Sequence, residues 1–106
     1  MTLDELNCHV FANCLHERFT LIAPGGETCP LELVEVVEKA TVPGIEQFSV
    51  MFCETEGHRA GQGVYPLEHE RLGRIELFLV PVDGGNGRVM LEAVFNRFQP
   101  VPGTQA

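Results

Sequence analysis

A chain of 106 residues, 44% of them hydrophobic, has the size and composition of one compact domain. It carries 15 acidic residues against 7 basic ones, a formal net charge of −8 at pH 7. This charge argues against binding to nucleic acids or anionic membranes, which depends on Lys and Arg side chains. No apolar run approaches the roughly 20 residues of a membrane-spanning helix, and the polar, acidic start does not resemble a signal peptide. We therefore expect a cytoplasmic protein with reduced cysteines.

The first predicted element is an amphipathic helix over about residues 3–15. Thr2 and Glu5 match a capping box, in which a hydroxyl and a carboxylate satisfy free amides at the start of a helix. The apolar stripe that follows at helical spacing consists of Leu3, Leu6, Val10 and Cys14. We expect this helix to cover one end of a sheet or barrel.

From residue 18 the hydrophobic period changes to two, which indicates β-strands. Phe19, Leu21 and Ala23 share one face of the first strand. In the second strand the alternation slips phase between Leu33 and Val34, which predicts a β-bulge or a sharp bend. Small barrels need such bends in order to close.

A turn at residues 42–44 separates the second strand from the third. Gly44 occupies the turn position that requires a positive φ. Phe48, Val50 and Phe52 then line one face of the third strand, which predicts that they belong to the core. An irregular, glycine-containing loop follows this strand.

The fourth strand is short, over residues 64–67, and Pro66 fits a strand edge or end because proline has no N–H to donate. The clearest hairpin lies near the C-terminus, where alternating strands over 75–82 and 89–95 flank a turn at 83–87. Both faces of residues 75–82 are apolar. This predicts a central strand that is covered on both sides.

Together these elements predict one mainly β domain over residues 1–98 with a flexible tail at 99–106. One N-terminal α-helix is followed by five or six strongly bent antiparallel strands. A small bent barrel, or a curled sheet that the helix covers, buries the apolar faces and protects the strand edges.

The cysteines and histidines could supply metal ligands, but they lack the closely spaced pairs that are typical of zinc sites. On a helix, Cys8 and Cys14 would lie about 9 Å apart along the axis and be rotated by roughly 120°. We therefore expect no metal and no cofactor, and we interpret the cysteines as buried or incidental thiols.

Two places could still carry ligand chemistry. The loop could present backbone amides of Gly61 and Gly63 to a small anion, with His58 and Arg59 beside them. His69 lies between two glutamates and could transfer protons, although a solvated surface histidine is the simpler interpretation. These five residues are the candidate ligand-binding set, and no catalytic residue is identified.

Four segments carry a family resemblance: FSVMF at 48–52, QGVYPLEH at 62–69, ELFLVPV at 76–82 and EAVFN at 92–96. With the helix and the Phe-Thr-Leu run that follows it at 19–21, nearly the whole chain resembles an uncharacterised family of small bacterial domains. The resemblance implies a variant of the Sm-like or SH3-like small barrel. It brings no activity and no catalytic residue.

The leading hypothesis is a non-enzymatic protein-interaction or assembly module that acts through sheet edges or apolar patches. It would form a homo-oligomer, such as a dimer, or bind a protein partner. One alternative is an Sm-like RNA-binding protein, which the net charge of −8 disfavours. The other is an undescribed enzyme that uses His58, Arg59 or His69 in the region 57–70.

Overall fold

The computed structural model describes residues 6–40, 43–55, 61–85 and 88–98. Within these residues the elements are one short helix and six strands, namely α1 (Cys8–Ala12), β1 (Arg18–Ile22), β2 (Thr28–Ala40), β3 (Ile45–Glu54), β4 (Gly63–His69), β5 (Gly73–Asp83) and β6 (Val89–Phe98). All strand pairs are antiparallel, and the order β1-β2-β3-β6-β5-β4 closes a barrel. The mainly β fold with an N-terminal helix is confirmed. Its description as Sm-like or SH3-like stays a prediction, as do the domain limits, because the tail at 99–106 lies outside the described residues.

The helix is shorter than the sequence predicts. Asn7 caps its start by accepting a hydrogen bond on Oδ1 from the Val10 amide at 2.9 Å. The proposed capping box lies outside the described residues. The prediction that the helix continues to residue 15 is wrong, because the chain tightens after Ala12 into i→i−3 hydrogen bonds. The chain then reaches His16, whose φ of 70° is left-handed and whose amide donates to the Leu33 carbonyl of β2.

The predicted bend in β2 is confirmed. The β2–β3 register shifts between Leu33 and Glu35, so Val34 is the extra residue of a bulge. A second shift, between Glu38 and Ala40, had no signal in the sequence. The bends let one strand of 13 residues pair with β1 at its start and with β3 over most of its length.

The turn and the third strand also match the prediction. Gly44 has a φ of 83°, a backbone conformation that residues other than glycine rarely adopt. Phe48, Val50 and Phe52 are fully buried on the inner face of β3. The first strand agrees as well, with Phe19 and Leu21 in the core.

The seam that closes the barrel between β1 and β4 is short. It contains two register pairs, Thr20 with Glu68 and Leu21 with Leu67. The next pair in this register would set Ile22 opposite Pro66, which has no N–H to donate. Pro66 lies inside β4 and not at its end, but the β1–β4 pairing stops before it, which agrees with the predicted strand edge. The preceding residues of β4 pair with β5 alone.

Aromatic rings fill the end of the barrel under α1. Phe48 and Phe95 are register partners of β3 and β6, and their rings stack at a centroid distance of 4.4 Å. Phe11 of α1 packs against both, at 6.0 and 5.6 Å. The Cys8 amide donates to Glu46 Oε2 at 3.1 Å and ties α1 to β3. The helix thus covers one barrel end, as expected. Within the described residues, no helix has both the length and the apolar character that spanning a membrane requires.

The prediction that β5 is covered on both faces is wrong. Ile75, Leu77 and Leu79 are buried, but Phe78 between them is 51% exposed. A barrel is a single curled layer, so only its inner face enters the core. The helix that could cover the outer face contacts β2 and β3 instead.

Candidate functional site

The five residues of the predicted ligand-binding set do not form one site. His58 and Arg59 lie outside the described residues. Gly63 is the first residue of β4 and Gly61 precedes it by two positions, whereas His69 is the last residue of the strand. Six residues of extended strand separate Gly63 from His69 by about 20 Å. The described part of the glycine loop is held by Tyr65, whose hydroxyl donates to the Gly61 carbonyl at 2.7 Å.

His69 is buried, not solvated as expected. Only 6% of its surface is exposed, and its ring packs on Phe19 at a centroid distance of 4.5 Å. Nδ1 accepts hydrogen bonds from the backbone amides of Arg71 and Leu72 at 3.1 and 3.2 Å. Because Nδ1 must offer its lone pair to these donors, the ring proton lies on Nε2, which donates to Glu17 Oε1 at 2.8 Å.

Glu17 connects this histidine to Arg71. Nη2 of Arg71 donates to the same Oε1 at 2.7 Å, and it also approaches the Asn13 carbonyl and the Cys14 sulfur, at 3.5 and 3.6 Å. The hydrogen bond from Arg71, followed by that from His69, lowers the pKa of the Glu17 carboxyl. Glu17 in turn raises the pKa of the Arg71 guanidinium. We call Cys14, Glu17, His69 and Arg71 the polar cluster.

The polar cluster contains a possible metal-ligand set. Ligand atoms of Cys14, Glu17 and His69 all lie within 4.8 Å of one another. The hydrogen bonds oppose coordination, however, because a metal on Nε2 would require the proton on Nδ1, where it would face two amide donors. Burial and the Glu17 carboxylate also raise the pKa of the Cys14 thiol, which favours the neutral form that binds metals poorly. The arrangement fits a structural clamp between the helix–β1 connection and the β4–β5 turn.

Sequence patterns could not reveal this cluster. Glu17 is separated from His69 by 52 positions and from Arg71 by 54. No local spacing relates such residues, and only the β1–β4 seam brings them together. The Glu68-His69-Glu70 run drew attention to the histidine but suggested the wrong carboxylates.

Two open grooves lie on the outer face of the β1–β4 seam. One, of about 510 Å³, is lined by Arg18, Thr20, Glu68, His69, Glu70, Gly73 and Arg74. Two arginines and two glutamates alternate there, so the groove offers no excess charge to an anion. The other, of about 350 Å³, is mostly apolar and is lined by Ile22, Ala23, Pro24, Gly26, Val64, Tyr65, Pro66 and Arg74.

Large apolar side chains are exposed to water beside the apolar groove. Val64 of β4 and Phe78 of β5 are direct cross-strand partners, and they are 63% and 51% exposed. Val94 of β6 is 60% exposed and follows Glu92 by two residues, just beyond the Val80–Glu92 pair at which the β5–β6 pairing ends. We call Val64, Phe78 and Val94 the outer apolar patch. The apolar pattern of residues 75–82 includes Phe78, but in the sequence this pattern predicts burial of both faces of the strand.

Comparison with known proteins gives one match. The family model described as a domain of unknown function, DUF6916, covers residues 6–95, which confirms the likeness to an uncharacterised family. No curated protein and no solved structure shows significant similarity to the chain. The match spans most of the helix and barrel, and the chain therefore belongs to the DUF6916 family of domains of unknown function.

Proposed function

We propose that this protein is a non-enzymatic protein-interaction module and that the outer apolar patch is its contact surface. The observation that carries the proposal is the exposure of three large apolar side chains on three neighbouring strands. Scattered exposed apolar residues are common, but adjacent ones, such as the cross-strand pair Val64 and Phe78, are characteristic of interaction sites. Covering such side chains gains about 25 cal/mol for each Å² of apolar surface removed from water.

The edge of β4 next to the patch adds to this surface. Residues 63–65 pair with β5 on one side, and the β1–β4 pairing does not reach them. A strand with free backbone groups on one side can accept a further strand from a partner chain. The partner is a protein chain, either a different protein or a second copy in a homo-oligomer.

Two further observations support a binding role over catalysis. Both ring nitrogens of His69 are engaged in structural hydrogen bonds, so this imidazole is not free to exchange protons with a substrate. The groove beside it carries balanced charge. The four free cysteines suit a reducing compartment, so a cytoplasmic location is part of the proposal.

Site-specific photo-cross-linking in the cells that produce the protein tests this function. A benzophenone amino acid replaces Phe78 in one variant and the exposed Glu70, in the turn between β4 and β5, in a control. We expect a discrete adduct from position 78 alone, and the additional changes Val64→Ser and Val94→Ser should reduce it. The adduct mass then separates a second copy of the chain from another protein. Equal adducts from both positions, or none from position 78, would refute the proposal.

A further inference from the structure

We infer that the outer apolar patch receives a basic protein segment with an apolar anchor, and not a second copy of this chain. This inference rests on the proposed function and specifies the partner's chemistry. It follows from the charges that surround the patch, from the charge of the whole molecule and from the spacing of residues along β5 and β6.

The nearest charged residues along these strands on the same face are both acidic. Glu76 precedes Phe78 by two residues on β5, and Glu92 precedes Val94 by two residues on β6. Strand residues two apart share a face, so both carboxylates border the patch. Glu76 is opposite Pro66, and Glu92 is opposite Val80 and Met51, so neither has a basic residue directly across from it. Arg74 shares the face of Glu76, but it is two residues farther from Phe78 along β5.

A second copy would add to this negative charge. It would bring the same two glutamates to the contact, and each copy carries a formal charge of −8. Charges within the Debye length, about 8–10 Å at physiological salt, repel without effective screening. Complementary charge favours and steers association, whereas like charge opposes it. A basic segment therefore suits this surface better than a copy of the chain.

The spacing suggests how such a segment would lie. Glu76 and Val80, the cross-strand partner of Glu92, are four residues apart on β5, about 13 Å in an extended strand, with Phe78 midway. An extended peptide places residues i, i+2 and i+4 on one face at the same spacing. The pattern Lys-x-Leu-x-Lys would set leucine against Phe78 and a lysine near each glutamate. The part of β4 that does not pair with β1, residues 63–65, lies beside this path.

Peptide titration followed by NMR tests the inference on the full chain. The probe is an acetylated, amidated peptide of sequence Lys-Thr-Leu-Thr-Lys, and its matched control has Glu in place of both Lys residues. Threonine at the intervening positions favours an extended conformation. We expect the basic peptide to shift amide signals of β4, β5 and β6, and the shifts to diminish with added salt and in Phe78→Ser. The acidic peptide should leave these signals unchanged.

Charge-matched variants separate a specific site from general attraction to an acidic protein. Glu76→Gln and Glu92→Gln should each weaken the basic peptide roughly two- to fivefold, the range of exposed ion pairs. Glu70→Gln removes the same charge about 20 Å from Val64 along β4 and should change binding little. Equal weakening by Glu70→Gln, binding of the acidic peptide, or no binding of the basic one would overturn the inference.

Light scattering on the same samples tests whether a second copy of this chain occupies the patch instead. A dimer of the wild-type chain that Phe78→Ser abolishes and that added salt strengthens would show that a second copy covers the patch. That result would overturn the inference while leaving the proposed function intact. The proposed function itself fails only if position 78 gives no specific cross-link.

Discussion

The polar cluster joins the helix–β1 connection to the end of β4 and the turn after it, whereas the outer apolar patch lies on β4, β5 and β6. The two regions differ in whether their side chains have partners within the protein. In the polar cluster the histidine, the carboxylate and the guanidinium all have hydrogen-bond partners within the protein. In the patch, three apolar side chains are left in contact with water. The comparison teaches that reactive residue types can serve the fold, while ordinary aliphatic and aromatic residues can form the surface that is available to partners.

Neighbouring residues of β5 give the sharpest test of this contrast. Leu79 is fully buried and Phe78 is half exposed, although they are adjacent in the chain. Leu79→Ala should lower the free energy of unfolding by about 2–5 kcal/mol, since it removes buried methyl groups and leaves a cavity. Phe78→Ala should lower it by less, by about 1 kcal/mol, because about half of the residue is already exposed to water. Urea unfolding measures both, and equal losses would show that the outer face is covered in solution.

Substitutions at His69 test whether the polar cluster acts as a clamp. His69→Ala leaves the buried Leu72 amide and the partly buried Arg71 amide without their acceptor and should cost about 1–3 kcal/mol in urea unfolding. His69→Asn places a carbonyl oxygen near the position of Nδ1, so it should recover part of that loss, although it cannot reach Glu17. A wild-type free energy of unfolding for His69→Ala would contradict the structural role.

The pH dependence of stability tests the carboxylate of the same cluster. The pKa of Glu17 is lowered in the folded state, first by Arg71 and then by His69, from an ordinary value of 4.5. The contribution of Glu17 to the free energy of unfolding is therefore present above pH 4.5, and it is lost as the pH falls from there through the pKa of the folded state. Glu17→Gln keeps an acceptor oxygen but has no charge, so its stability should be lower at neutral pH and should fall less steeply in acid. Glu70→Gln controls for the loss of one negative charge, and acid profiles that coincide for Glu17→Gln and wild type would remove the proposed link.

Local patterns were sufficient for part of this structure. Some signals act over only a few residues, and the predictions made from them were confirmed. They are the period of two in the strands, the phase slip at Val34, Gly44 in its turn and Pro66 at the edge of β4. The predictions of where the helix ends and of whether β5 is covered on both faces were wrong, because tertiary contacts decide both. Glu17 and His69 meet only after β1 and β4 have closed the barrel, so no sequence pattern places them together.

Zinc and alkylation reagents provide a final test of whether the polar cluster is structural. Burial and Glu17 raise the pKa of the Cys14 thiol, and burial also raises that of Cys8, which is the less buried of the two. We expect slow alkylation of the folded protein by iodoacetamide, with Cys8 modified before Cys14, as resolved by mass spectrometry of peptides. Because the proton of His69 lies on Nε2, added zinc should neither protect Cys14 nor raise the unfolding temperature. A metal centre would instead be identified by zinc protection of Cys14 that disappears in His69→Asn, together with a zinc-induced rise in unfolding temperature that disappears in both Cys14→Ala and His69→Asn.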